Sequence, residues 1–323
     1  MIHLRKLEPI QEEEIWVTIG AYDGVHLGHQ QIIRTMVKEA QINNIKTGVI
    51  TFYPHPAVII RQLKDAFYLS SPNEKSEIFS DLGVDYTITV PFDYAFSKLS
   101  PEEFIQKLLL NIPVSQFWIG NDFSFGKNRT GNTVVLEQLG LRYGFKTIVS
   151  DHVTQDSEKI SSSKIRNWVL EGEMELATQA LGRPYSLTGV VIHGDERGRK
   201  IGFPTANLSV WEEKILPPAG VYATLAVIEK QVFYSVTNVG FRPTFKDNQI
   251  KPQVETYLHH FNRSIYDLPV QLFFIKRIRP EIKFESISSI TSQITQDVQK
   301  SEEILRHAEK QTSLFIGSTT INT

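Results

Sequence analysis

The chain is 323 residues long, with 41% apolar and 22% charged residues, a composition that supports buried cores and excludes disorder, collagen-like repeats and low-complexity architecture. Its 34 basic and 36 acidic side chains nearly cancel, so it lacks the positive field of a nucleic-acid-coating protein. The absence of Cys removes disulfides, thiolate nucleophiles and zinc ribbons, and leaves His, Asp, Glu, Ser, Thr and phosphate-bound metal for chemistry.

At roughly 150 residues per domain the length favours two domains. The opening residues Met1-Ile2-His3-Leu4-Arg5-Lys6-Leu7-Glu8-Pro9 carry charges where a secretion signal needs apolar side chains. No run of roughly 18 apolar residues follows, so a cytoplasmic protein without membrane or nucleic-acid partners is expected. Strand-forming runs at 15–20, 46–52, 84–90, 114–120 and 145–150 alternate with helical patterns, the signature of a parallel sheet with crossover helices. Ile32, Ile33, Met36, Val37 and Ala40 give a helix over 29–41 one apolar face. Ser71-Pro72-Asn73-Glu74 and Ser100-Pro101-Glu102-Glu103 each combine an N-cap Ser, Pro at the first helical position and Glu at the third, so each starts a helix and carries no chemistry of its own. Beyond about residue 180 the rhythm changes, and Pro, Gly and Thr punctuate short β-rich runs at 186–192, 220–227, 232–239, 254–259 and 270–277. That pattern predicts an antiparallel all-β unit, a small barrel. Ile290, Ile294, Val298, Ile304 and Leu305 space a closing helix over 288–311, and 317–323 is expected to fray. The first part is net acidic and the second net basic. The boundary is expected beside Leu181-Gly182-Arg183-Pro184, giving domains 1–182 and 183–323.

Two clusters carry chemistry. Between the first strand and the first helix stands Gly20-Ala21-Tyr22-Asp23-Gly24-Val25-His26-Leu27-Gly28-His29. An α/β sheet binds anions at such a place, where free N–H groups of a helix N-terminus favour negative charge and glycines let the backbone approach a phosphate. His26 and His29, three apart, are placed to face one substrate and donate to phosphoryl oxygens. An incidental turn, or two zinc ligands lacking a third and fourth, has the same spacing. The second cluster is Gly194-Asp195-Glu196-Arg197-Gly198-Arg199-Lys200-Ile201-Gly202-Phe203-Pro204-Thr205-Ala206-Asn207, a flexible cationic loop suited to a nucleotide phosphate chain or, more plainly, a charged hairpin. It is not a Walker A loop, since no Gly-Lys-Ser/Thr follows. Thr205 and Asn207, two apart on an extended segment, share a side as two oxygen ligands of one Mg²⁺ would.

On these residues the chain resembles the HxGH nucleotidyltransferases, and more closely the bifunctional prokaryotic FAD synthetases (riboflavin kinase/FMN adenylyltransferase). In the first part the resemblance rests on residues 20–29, on Thr51-Phe52-Tyr53-Pro54-His55-Pro56, on Gly120-Asn121-Asp122-Phe123-Ser124-Phe125-Gly126 with Arg129 and Gly131, and on Ile160-Ser161-Ser162-Ser163-Lys164-Ile165-Arg166. In the second part it rests on Gly202-Phe203-Pro204-Thr205-Ala206-Asn207, Leu181-Gly182-Arg183-Pro184-Tyr185, Pro218-Ala219-Gly220-Val221-Tyr222, Asn238-Val239-Gly240-Phe241-Arg242-Pro243-Thr244-Phe245, Val254-Glu255-Thr256, and Arg279 with Lys283-Phe284.

The resemblance implies a Rossmann-like α/β HxGH nucleotidyltransferase domain followed by a riboflavin kinase-like six-stranded antiparallel β-barrel with a C-terminal helix. It implies phosphorylation of riboflavin by ATP to FMN in the barrel and adenylylation of FMN by a second ATP to FAD and pyrophosphate in the first domain, both with Mg²⁺. By the same resemblance His26 and His29 are catalytic on the triphosphate, and Gly20, Asp23, Gly28, Ser161, Ser162 and Arg166 bind ATP beside them. His55, whose flanking prolines are expected to fix an extended loop, is implied in flavin binding with Asn121, Asp122 and Arg279. Gly198, Arg199 and Gly202 are implied in ATP binding in the barrel, Thr205 and Asn207 in holding Mg²⁺, and Glu255 as general base on the riboflavin 5′-hydroxyl. Ser161 and Ser162, which precede a helix expected over 164–170, also suit a plain helix cap. Ala21, Tyr22, Ser163, Tyr257 and Ser264-Ile265-Tyr266-Asp267 depart from the family's usual residues; none is a phosphate ligand, and the last group falls on the flavin-covering edge. A chain with one active half, or a flavin- or nucleotide-binding regulatory protein, would keep the same motifs. Nothing in the residues sets an oligomeric state.

Overall fold

The computed structural model describes residues 1–150, 154–155, 158–194, 197–243, 250–312 and 321–322, and divides into two compact units, Met1–Ser162 and Ser163–Thr323. Asp195-Glu196 of the cationic loop, Thr244-Phe245, and the expected fraying over 317–323 except at 321–322 lie outside the described residues.

In the first unit β1 (Ile2–Leu4), β2 (Ile15–Ile19), β3 (Lys46–Tyr53), β4 (Tyr86–Pro91), β5 (Val114–Gly120) and β6 (Lys146–Ser150) form a parallel sheet in the order β1-β4-β3-β2-β5-β6. The helices are α1 (Leu27–Ile42), α2 (Pro56–Arg61), α3 (Pro72–Asp81), α4 (Pro101–Leu109) and α5 (Thr133–Tyr143), and a short ladder joins β7 (Thr154–Gln155) to β8 (Glu158–Lys159). β2 is buried at every position because both its faces are covered. Ile15, Val17 and Ile19 join a core with Phe52, Phe104 and Phe117, while Trp16 joins Met36 and Trp118 in another. From β2 the chain steps outward through β3 to β4 and then returns to β5 on the other side of β2. The carboxyl ends of β2 and β5 therefore flank the crevice where an open α/β sheet receives its ligands, and both motif loops leave from there.

The five expected strands appear within two residues of their expected limits. β1 has no signal of its own, since three residues are too few to show a period; it is held by parallel pairing to β4. Both capping boxes form: Ser71 N–H donates to Glu74 Oε2 (2.7 Å) and Glu74 N–H to Ser71 Oγ (3.2 Å), and Ser100 and Glu103 repeat the arrangement.

The second unit begins inside α6 (Ser162–Glu171) and continues with α7 (Met174–Leu181). This division differs from the expected 182/183 because α7 packs on the barrel strands that follow and Glu175 pairs with Lys276 at 2.6 Å. β9 (Tyr185–Ile192), α8 (Arg197–Lys200), β10 (Thr205–Val210), β11 (Gly220–Ile228), β12 (Gln231–Pro243), β13 (Ile250–Leu258) and β14 (Pro269–Pro280) follow. The six strands pair antiparallel in the order β11-β14-β9-β10-β13-β12, and β11 pairs with β12 to close a barrel. β9 shows the alternation that one inward face requires, with Tyr185, Leu187, Gly189 and Val191 buried and the residues between them open. Inside, the sealed residues Thr224, Ser235, Thr237 and Thr256 form a hydroxyl chain: Thr224 Oγ1 lies 2.7 Å from both Ser235 Oγ and Thr237 Oγ1, and Thr237 donates to Thr256 at 3.0 Å.

α9 (Ile287–Thr312) covers an outer face of the barrel, where Leu305 packs with Ala223, Leu225, Val232 and Tyr234. Ser301 Oγ donates to the Ser235 carbonyl (3.1 Å) to fix its height. β15 (Ile321–Asn322) adds to β12 in parallel.

His259, just beyond β13, is 4% exposed, and its Nε2 has no hydrogen-bond partner among the described residues. Burial pushes its pKa down to about 4, against the opposing charge of Glu302 and with a further push from His260. Because the folded value lies below the unfolded one near 6.5, the unfolded chain takes up this proton first, and stability is lost as pH falls from about 6.5 towards 4. The loss reaches about 3 kcal/mol for this group. Urea titrations at the two ends of that window are expected to show it, and His259→Phe is expected to flatten the dependence.

Candidate active sites

The loop between β2 and α1 is held from four directions. Tyr22, Gly24 and Val25 adopt left-handed backbone (φ 48°, 78° and 41°), a strained run that needs outside support. The buried Asp23 carboxylate supplies it by accepting from the Leu69 N–H (3.0 Å) and the Ser70 N–H (3.2 Å). Gly24 N–H donates to Ser70 Oγ, Gln30 Nε2 to the Val25 carbonyl, and Ser162 Oγ to the Asp23 carbonyl (2.8 Å). Asp23 and Ser162, expected on ATP, thus engage the loop itself, the first through its carboxylate and the second through its hydroxyl. α6 also starts at Ser162, earlier than the expected 164, so Ser161 and not Ser162 precedes it.

His26 opens α1 with extended backbone, and its ring stacks on that of His29 with centroids 3.6 Å apart and planes 19° from parallel. Gly28 makes the stack possible, since a Cβ there would sit 3.2 Å from the His26 ring. Gly20 is pressed likewise by the Tyr22 ring, at 2.8 Å. Tyr22 meets His29 edge-on at 4.9 Å, and its buried hydroxyl, paired with Thr18, has its pKa raised by desolvation. Burial holds His29 well below its ordinary value, and the neighbouring His26 and Lys75 push it further down. Both imidazoles therefore sit at a helix N-terminus, and His29 is uncharged at neutral pH with its Nδ1 buried and unbonded among the described residues. No third His, Cys, Asp or Glu joins them as a metal site among the described residues.

Around this loop the expected flavin residues fall into two groups. His55 has the expected extended backbone, but the extended segment stops there because it caps α2, its Nδ1 accepting from the Ala57 N–H (3.0 Å), while its own N–H donates to Tyr68 Oη (2.8 Å) and its ring lies 4.9 Å from Phe67. Pro56 at the first helical position favours this helix start over a continued extended segment. Asn121 and Asp122 stand exposed after β5, beside the stacked rings of Phe123 and Phe125 (5.2 Å). Arg166 Nη1 reaches Ser163 Oγ at 3.5 Å in the second unit.

In the barrel, Asn207 on β10 lies directly opposite Glu255 on β13, and Thr205 is two residues along the same side. Gln253 Nε2 bridges them, donating to Glu255 Oε1 (2.5 Å) and Asn207 Oδ1 (3.4 Å). Gly194 leaves room for this group, since a Cβ there would come within 2.2 Å of Asn207 Nδ2. Gly198 admits the Phe203 carbonyl, which a Cβ would meet at 2.3 Å, and Gly202 turns the chain with φ 86° into β10. A cavity of about 470 Å³ opens beside them, lined by Arg199, Thr205, Thr256, Leu258, Ser264 and Tyr266, among others. Tyr266 stacks on His193 at 4.0 Å, so the segment that departs from the family pattern forms part of this wall.

Arg279 does not line that cavity. Its guanidinium is clamped by Asp297 of α9, Nε donating to Oδ1 (3.0 Å) and Nη2 to Oδ2 (2.7 Å), with Gln293 on the same carboxylate. The fork is filled by this ion pair, which ties β14 to the closing helix.

Two residues with no motif of their own emerge. Gln253 had only its place two before Glu255 to mark it. Lys75 sits inside a capping-box helix, and nothing in its spacing signals that it is 2% exposed beneath the histidine loop.

Residues 8–164 match the FAD synthetase family model and residues 181–305 the riboflavin kinase model. The chain is 38% identical to the bifunctional riboflavin kinase/FMN adenylyltransferase of Listeria monocytogenes, covering 88% of this chain and 90% of that one. It is 34% identical to that of Escherichia coli, covering 91% and 94%. Among solved structures it is similar to a macrolide-efflux protein from Streptococcus pneumoniae, with a TM-score of 0.83, 27% identity, and coverage of 93% of this chain and 98% of that one. No helix among the described residues is long and apolar enough to cross a membrane. With both halves matched in order and relatives aligned along most of its length, the chain belongs to the bifunctional riboflavin kinase/FMN adenylyltransferase family.

Proposed function

We infer that the second half transfers the γ-phosphoryl group of ATP to the riboflavin 5′-hydroxyl, and that the first half joins the resulting FMN to the AMP part of a second ATP. What supports this reading is two separate side-chain clusters in one chain, the stacked imidazoles at the α1 N-terminus and the Thr205–Asn207–Glu255 face of the barrel.

In the barrel, Glu255 takes the proton of the 5′-hydroxyl as its oxygen attacks the γ-phosphorus, and the bond from that phosphorus to the β-phosphate oxygen breaks to release ADP. Gln253 orients the Glu255 carboxylate for this. Arg199, Gly198 and Gly202 shape the cationic loop against the phosphates. Thr205 Oγ1 and Asn207 Oδ1 are uncharged hard oxygens on one side of β10, a donor set that suits Mg²⁺ shared with ATP. Bound there, the cation would neutralise charge on the phosphate chain.

In the first half an FMN phosphate oxygen attacks the α-phosphorus and pyrophosphate leaves, so catalysis is positioning and charge stabilisation. His26 and His29 donate to the phosphoryl oxygens, with Gly20, Gly28 and Ser161 around the triphosphate and Asp23 and Ser162 keeping the loop in shape. His55, Asn121 and Asp122 face the flavin. Arg279 acts as the anchor of α9. The ranges 1–182 and 183–323 serve as the two catalytic halves, a reading supported by the matched segments. The setting is cytoplasmic, with riboflavin, FMN and ATP as the partners.

Incubation of the purified protein with riboflavin, ATP and Mg²⁺ is expected to yield FMN, then FAD, with ADP and pyrophosphate released in turn. Flavin binding by calorimetry without release of either product would instead make it a binding protein.

A further inference from the structure

Lys75 leaves the first turn of α3 and enters the sheet, where its ammonium is sealed from solvent. Nζ donates to the Ala21 carbonyl (3.1 Å) and to Thr51 Oγ1 (2.9 Å), and Thr51 Oγ1 in turn donates to the same carbonyl (3.0 Å). A lysine is rarely buried without a carboxylate in its grasp, and taking an ammonium out of water costs several kcal/mol. A methionine of similar length would fill the space without that cost, so the position is expensive unless the charge is used. What the charge touches is the histidine loop: Ala21 precedes Tyr22 and Asp23, and the next helix turn carries His29.

The charged and titratable groups that face Lys75 come from three elements. The buried Asp23 carboxylate on the loop favours the ammonium, while His29 on α1 and His3 on β1 each feel Lys75 as a like charge. His26 lies behind His29 in the stack. A fixed cation at this place disfavours a second positive charge on His29, and it supplies a positive field without occupying the space of the phosphates.

We propose that Lys75 is a positioning residue for adenylyl transfer, a buried cation that fixes the Ala21 carbonyl from behind the histidine loop and adds a positive field at the phosphate chain. The proposal rests on the assignment of FAD formation to the histidine site. Burial brings the Lys75 pKa down to about 8, so the charge is lost within reach of ordinary assays.

The experiment uses the full chain and follows FMN made from riboflavin and FAD made from supplied FMN as separate rates. Lys75→Met is expected to lower kcat for FAD formation at pH 7 at least about tenfold, in line with losing a preorganised charge, while FMN formation changes less than about twofold. Histidine NMR is expected to show the His29 ring gaining its proton at higher pH in Lys75→Met than in the unaltered protein. The unaltered protein is expected to lose FAD formation, but not FMN formation, as pH rises through about 8, and Lys75→Met to lack that fall. Unchanged FAD formation and an unchanged His29 titration in Lys75→Met would overturn the proposal. Should the variant lose FMN formation as well, the unaltered protein decides: an FAD rate that does not fall above pH 8 overturns it. If His29→Ala leaves FAD formation intact, the site assignment fails and not the role of Lys75 in holding the loop, which the His29-independent NMR signals of Ala21 and Tyr22 then report.

Discussion

His29→Ala is expected to leave a protein that accumulates FMN and forms FAD about 10² to 10³ times more slowly, the usual cost of removing one preorganised donor from a developing oxyanion. The ring sits at the start of a 16-residue helix, stacked on His26 and uncharged, so it stabilises phosphoryl charge as a fixed hydrogen-bond donor. Alanine removes the ring and leaves the helix intact, and FMN formation in the barrel serves as an internal control. Chromatographic separation of the flavins over time checks it. Equal loss of both reactions in a folded protein would end the assignment of separate sites. Because the two rings are in contact, His26→Ala is expected to cost a similar factor, and the double substitution much less than the product of the two.

Glu255→Gln is expected to give the reverse pattern, with FMN formation falling by about 10² to 10⁴ while supplied FMN is still converted to FAD. The substitution keeps the shape of the side chain and its neighbours on β13 and β10 but removes the capacity to take the 5′-hydroxyl proton. Gln253 makes the geometry of this site depend on a third residue, since one amide spans both Glu255 and Asn207. A kinase rate in Glu255→Gln within tenfold of the unaltered protein would show that the proton leaves by another route.

The sequence was most readable where chemistry and local structure coincide. The parallel strands announce themselves as apolar runs because β2 and its neighbours are covered on both faces, and the capping boxes are complete within four residues. The histidine pair and the Thr205–Asn207 pair were visible because helical and extended periods place i, i+3 and i, i+2 on one side. What escaped depends on partners far along the chain. Asp23 reads as a phosphate-loop residue until Leu69 and Ser70 bring their N–H groups to it. Arg279 reads as a ligand contact until α9 returns Asp297 to its fork. Lys75 reads as the solvated face of a capped helix, and only the packing of α3 on the sheet turns it inward.

The hydroxyl chain within the barrel has a polarity. Each Ser or Thr hydroxyl owns a single proton, so a chain of them is a row of small dipoles that can align only end to end. Thr237 spends its proton on Thr256, and Thr256 is the member that reaches the cavity wall. At the other end Ser235 spends its proton on the Thr224 carbonyl at 2.9 Å, so the single Thr224 proton serves either Ser235 Oγ or Thr237 Oγ1 and not both. The interior of the barrel therefore holds one more hydroxyl contact than it has protons to fill, and Thr224 is the member that must choose between its two neighbours.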